Sequence, residues 1–181
     1  MFNLTMKTTM RKYAPLVLLL PFLIPAHKVF AGEGLQCPQA KVHASNGQTL
    51  ILKEYEFEHG VHDLVISNIE KPEIKRVTYS GKAILNTSGE QSCRYKAVAI
   101  AQGGDWGWHL AWMLNDKSGA YYSRMDGEAW VSTPAKRISE ENADALQLTV
   151  KNEQVTLSGY ASQSSQAETF SITSEDEGHN W

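Results

Sequence analysis

His59 and His62, three residues apart and followed directly by Asp63, come nearest in type and spacing to a metal site. They straddle the turn signal Glu58-His59-Gly60. A turn would let both imidazoles converge on one copper or zinc ion, whereas a straight strand would send them to opposite faces. His43, His109 or His179 would be the distant third ligand, and Met113 and Met125 would either extend a copper(I) site or fill gaps in a core. A second chemistry is stacking. Four of the five tryptophans lie between Gly103 and Ser139, and Trp106 and Trp108 sit beside glycines. Left exposed, this pair would bind a sugar ring or a partner surface, with Asp105 and Asn115 as hydrogen-bonding rims and Tyr121 adjoining. No Gly-x-Ser-x-Gly elbow, His-Glu-x-x-His pair or phosphate loop is present. Carboxylate pairs such as Asp105 with Asp116 or Asp126 have no spacing that singles them out. No catalytic residue is assigned, and no cofactor is expected beyond the copper or zinc reading.

The elements that must position these residues read as strands. Trp106, Trp108, Leu110, Trp112 and Leu114 fall at every second position, which puts all five on one face of an extended strand. On that pattern Trp112 and Trp130 belong to a core, while Trp106 and Trp108 fit core or surface equally. Asn115 to Gly119 supplies a turn, Ala120 to Met125 a strand, Asp126-Gly127 a tight hairpin, and Glu128 to Ser132 a third strand closed by Thr133-Pro134. Upstream, Lys53 to Glu58 alternates, with the carboxylates expected toward water and Tyr55 and Phe57 inward. Val61 to Ile69, Ile74 to Tyr79, Lys82 to Leu85 and Cys93 to Ala101 are further strands. Downstream, Ser139 to Asn142 reads as the start of a single helical turn. Asn152-Glu153 turns a hairpin, and Phe170 and Ile172 mark a last strand before an acidic flexible tail over 174–181. The spacing predicts an all-β domain over 32–173: one antiparallel β-sandwich or partly closed barrel of about eight to ten strands around a Trp-rich meander.

Residues 1–31 are set apart from that fold. A basic start with Lys7, Arg11 and Lys12, an apolar run from Ala14 to Ala26 and Val29-Phe30-Ala31 read as an export signal cut after Ala31. The run is shorter than the roughly 20 residues a spanning helix needs. The expected product is periplasmic or secreted, with no membrane span after cleavage. In that compartment Cys37 and Cys93 are expected to form a disulfide. After residue 31 there are 13 Lys and Arg against 20 Asp and Glu, a net of −7, and the excess lies entirely beyond Ile138, where eight acids face Lys151 alone. No basic patch offers itself to nucleic acid or anionic lipid.

Ser123, Gly127 and Trp130 occupy the first, fifth and eighth positions of Ser-x-Asp-x-Gly-x-x-Trp, with Met125 where the aspartate belongs and Asp126 one place late. With Leu110 to Trp112 before it and Pro134 to Ser139 after it, this stretch resembles one Asp-box hairpin of the sialidase-type β-propellers. The resemblance covers about 35 residues, against the four or more four-stranded blades of a propeller. It implies a twisted antiparallel meander fastened at the box, and a glycan-binding or glycan-active module as one functional class. The residues themselves favour an exported accessory protein that binds a partner protein or ligand through the Gly103 to Trp108 loop and the adjoining aromatic face. A metal carrier using His59 and His62 is the third class, and unpaired sheet edges make a homo-oligomer a further expectation.

Overall fold

Alternation of side chains along each strand determines what this chain builds. The computed structural model describes residues 36–80, 84–85, 93–104, 107–162 and 167–181, and only the backbone of His59, Ile84 and Leu85. Among the described residues twelve strands are formed: β1 (Gln39–His43), β2 (Thr49–Phe57), β3 (Val61–Asn68), β4 (Lys75–Val77), β5 (Ile84–Leu85), β6 (Tyr95–Gly103), β7 (Gly107–Leu114), β8 (Ala120–Asp126), β9 (Lys136–Ser139), β10 (Ala145–Lys151), β11 (Gln154–Tyr160) and β12 (Glu168–Ser174). All pairings are antiparallel. The first sheet runs β1-β2-β3-β4, with β5 also on β3; the second runs β6-β7-β8-β9 and the third β10-β11-β12. The fold is all-β, and its sheets do not close into a barrel. All described residues belong to one compact unit, Glu33–Trp181.

The second sheet is the middle layer, because β7 is apolar on both faces. Trp108, Leu110 and Trp112 join Val98, Ile100 and Met125 and pack on Leu50, Leu52, Leu64 and Ile66 of the first sheet. From the opposite face Ala97, Ala99, Ala101, Ala111 and Met113 meet Leu148, Val155, Leu157 and Phe170 of the third. The alanines let the third sheet come close. At Gly103 a side chain would reach within 2.6 Å of Val150, so glycine is needed for that approach. β6 packs against both β1 and β10. There the Cys37–Cys93 disulfide, across 56 residues of sequence, ties the start of β1 to the start of β6.

Four sequence expectations are corrected. Glu54 faces the middle sheet and only 4 % of its side chain is exposed, while Tyr55 and Phe57 stack edge-on on the outer face. A strand has one parity, and Leu50 and Leu52, four and two residues earlier, commit the even positions to the core. The third strand of the meander is Lys136–Ser139, not 128–132, where a single bridge joins Met125 to Ser132. Asp126 is the cause: its side chain accepts from the Glu128 and Ala129 N–H groups and its carbonyl from Trp130 N–H, winding the chain into a wider turn than a tight hairpin. Ser139 to Asn142 starts no helix, and its Ser139 hydroxyl instead accepts from Glu141 N–H. Residues 174–181, read as a flexible tail, begin with the last residue of β12 and fold back. Ser174 and Asp176 cap a turn through Asn180, and Trp181 lies edge-on against Tyr122 at 4.6 Å.

Candidate functional site

Those of the sequence-proposed residues that the structure describes stand in separate settings. Trp108 is only 4 % exposed, stacked on Trp130 at 5.8 Å, and Trp112 is stacked on Tyr121 at 6.1 Å. Trp108, Leu110 and Trp112 of the strand row are therefore core, with half-buried Tyr121 at its border. Asn115 is a strut, its side-chain amide donating to the Cys93 carbonyl. Asp105 and Trp106, the His59 side chain and residues 1–31 lie outside the described residues. His62 is buried, with Nδ1 held 2.5 Å from Glu54. That nitrogen is therefore already taken. Among the described residues, one group of His, Cys, Asp and Glu side chains has metal-ligand proximity: Cys37, Glu54 and Cys93. Its two sulfurs are spent on each other in the disulfide.

Two buried polar networks hold Glu54, Asp63, Tyr95, His109 and Tyr122 in the interior. Glu54 accepts from the Arg94 and Tyr95 N–H groups as well as meeting His62, which compensates the burial of a carboxylate. Asp63 accepts from Leu64 N–H, Ser80 N–H and the Ser80 hydroxyl, and that hydroxyl meets Tyr95. Burial pushes the Tyr95 phenol well above the ordinary tyrosine range, so it stays protonated. On the other face His109 is fully buried. Its Nε2 faces the Gly103 carbonyl and must donate, so Nδ1 is the acceptor for the Tyr122 hydroxyl at 2.6 Å. Burial holds the His109 imidazole below the usual histidine range. These groups are enclosed by their partners, and each carries a structural bond.

The open site lies at the free end of the first sheet. Between β3 and β4 the chain exposes Ile69 and Ile74, and just past β4 Tyr79 is 74 % exposed. Facing them, Trp130 closes the Asp126 turn and Val131 is exposed beside it. Tyr79 and Trp130 both adopt left-handed backbone, φ +50° and +57°. That conformation is costly for a bulky residue and is held only by surrounding structure. Arg76 lies over the Trp130 ring at 5.7 Å and Lys75 over the Tyr55 ring at 4.1 Å. One depression, of about 210 Å³, is bounded by Ile66, Lys71, Ile74, Arg76 and Trp130; its neighbour, of about 420 Å³, by β4, Tyr79 and residues 128–130. Sequence reasoning missed this place. The signal was a lone aromatic before Ser80-Gly81, following a Lys-Arg pair on a strand too short to bury either.

No protein-family model, curated protein or solved structure matches the chain. The disulfide is compatible with an extracellular or periplasmic location, and among the described residues no helix is long and apolar enough to cross a membrane.

Proposed function

We propose that this chain is a small exported protein of the periplasm that binds a partner protein without chemistry, along the two adjoining depressions that Ile74, Tyr79 and Trp130 line. The observation that carries this reading is the gathering of exposed apolar side chains. Ile69, Ile74, Tyr79 and Val131 are the exposed large hydrophobic residues of the described fold; Ile69 and Ile74 lie in the loop before β4, Tyr79 just after it, and Val131 next to Trp130. Scattered apolar residues on a surface need no account, whereas a cluster rimmed by charge marks a docking surface. Arg76, Lys71 and Lys75 form that rim. Trp108 and Trp112 are enclosed in the core and offer no sugar platform themselves.

Native mass spectrometry of the full chain, isolated gently from the export compartment of its own host, tests the reading. The expected result is an additional protein mass on the wild type that is lost from Tyr79→Ala and Arg76→Glu. A bare monomer in every preparation, or a bound mass indifferent to both substitutions, would count against it.

A further inference from the structure

We infer that the outer edge of β4 receives an extended, acidic segment of the partner protein as an added strand, lying between β4 and the Glu128 to Trp130 turn. This rests on the proposed binding function and specifies its chemistry. The backbone carries the first part of the argument. Thr78 N–H donates to the Leu64 carbonyl, which makes Thr78 and Leu64 a hydrogen-bonded pair of the antiparallel ladder. Such pairs alternate with pairs that exchange no bond. Arg76 opposite Ile66 is then the next bonded pair, and Lys75 and Val77, opposite Ser67 and Val65, turn their N–H and C=O groups away from β3. Among the described residues no strand pairs with that edge. It is an open template for β-strand addition, in which backbone bonds supply affinity and side-chain pockets supply selectivity.

Charge and shape say what the added strand contains. Among the described residues Lys71, Lys75 and Arg76 have no carboxylate partner, unlike Lys96, paired with Asp144, and Arg137, paired with Glu140. Glu128 is the single acid among the lining residues, and Glu70 and Glu73 of the neighbouring loop line neither depression. Three cations against one carboxylate favour an acidic segment. Ile74, 43 % exposed, and Tyr79 stand at the two ends of β4 as apolar contacts for its flanks. At 3.3 to 3.4 Å per residue the three residues of β4 would pair with a core of about three to four partner residues.

Fluorescence anisotropy with the full chain and two labelled ten-residue peptides tests this, one alternating Glu with Val and the other alternating Lys with Val. The acidic peptide is expected to bind, more weakly as salt rises, and the basic one not to bind. Val77→Pro removes an N–H that faces away from β3, so it should cut affinity for the acidic peptide by about tenfold or more while β3 keeps its bonds. Lys75→Glu, an exposed charge reversal that leaves the backbone intact, should do the same and serves if the proline variant does not fold. Equal binding of both peptides, binding of neither, or undiminished binding by a folded Val77→Pro would overturn strand addition. Failure of the peptides alongside a Tyr79-dependent bound mass in the native spectrum would remove strand addition and leave the binding function standing. A bound mass equal to a second copy of this chain would assign the edge to self-association and overturn the proposal.

Discussion

The two faces of the middle sheet are built from the same strands by opposite means. Toward the first sheet β7 presents Trp108, Leu110 and Trp112; toward the third it presents His109, Ala111 and Met113. The aromatic face fills space with large rings, and its last stacked pair, Trp108 on Trp130, reaches the surface as the wall of the open groove. The alanine face instead brings the third sheet close and encloses a polar pair, His109 with Tyr122, beneath the folded-back C-terminus. The difference teaches that one face is a packing problem with an exposed rim, whereas the other is a problem of close approach and polar satisfaction.

Breaking the aromatic face should have the largest effect. Trp112→Ala removes a side chain that is 1 % exposed and is expected to cost about 3–5 kcal/mol, read as a lowered denaturant midpoint. On the alanine face the damaging change runs the other way. Ala99→Leu overfills the contact with the third sheet and should cost about 1–3 kcal/mol in the same assay, whereas a loosely packed interface would absorb it. The polar pair predicts a pH dependence of stability. The His109 pKa in the fold lies below its unfolded value, so in the window between them the unfolded chain binds more protons. Stability from this site is complete above about pH 6.5 and declines as pH falls toward the lowered value. Melting temperatures between pH 7.5 and 5.5 should show that decline, and His109→Gln should flatten it. The smallest effect belongs to the rim: Tyr79→Ala should leave the denaturant midpoint within about 0.5 kcal/mol of wild type. A large loss there would make Tyr79 a packing residue and blunt the contrast between groove and core.

Much of the middle sheet was legible, because tryptophan and leucine at every second position state both the strand and its buried face. The hairpin of Leu146 to Leu157 around Asn152-Glu153 was legible for the same reason, and Asn152 takes the left-handed turn conformation that residue tolerates. What could not be read was which of two alternating sets turns inward where both look plausible. Lys53 to Phe57 offers aromatic residues on one side and carboxylates on the other. The parity follows from Leu50 and Leu52, just upstream of the stretch, and burial of Glu54 is tolerated because donors on Arg94 and Tyr95, forty residues away, satisfy its carboxylate. The candidate site was hidden for a related reason: Tyr79 and Trp130 are neighbours only once the first and second sheets are stacked. The tryptophans nearest a flexible Gly-Gly looked like the binding residues, yet Trp108 is enclosed by Trp130.

Each sheet is drawn from one uninterrupted stretch of chain, 39–85, 95–139 and 145–174. Ladder formation therefore closes only short loops, and the long-range steps are sheet stacking and the disulfide. For an all-β protein this lowers the topological barrier to folding, since pairing within a sheet does not wait for distant segments. The hazard falls at an intermediate stage: a chain whose first two sheets have formed while the third is still unmade would present the alanine face of the middle layer to water, with His109 and Tyr122 uncovered. Residues 145–181 would then act as the last-added cover, and their delay, rather than any slow ladder, would set how long an aggregation-prone species persists.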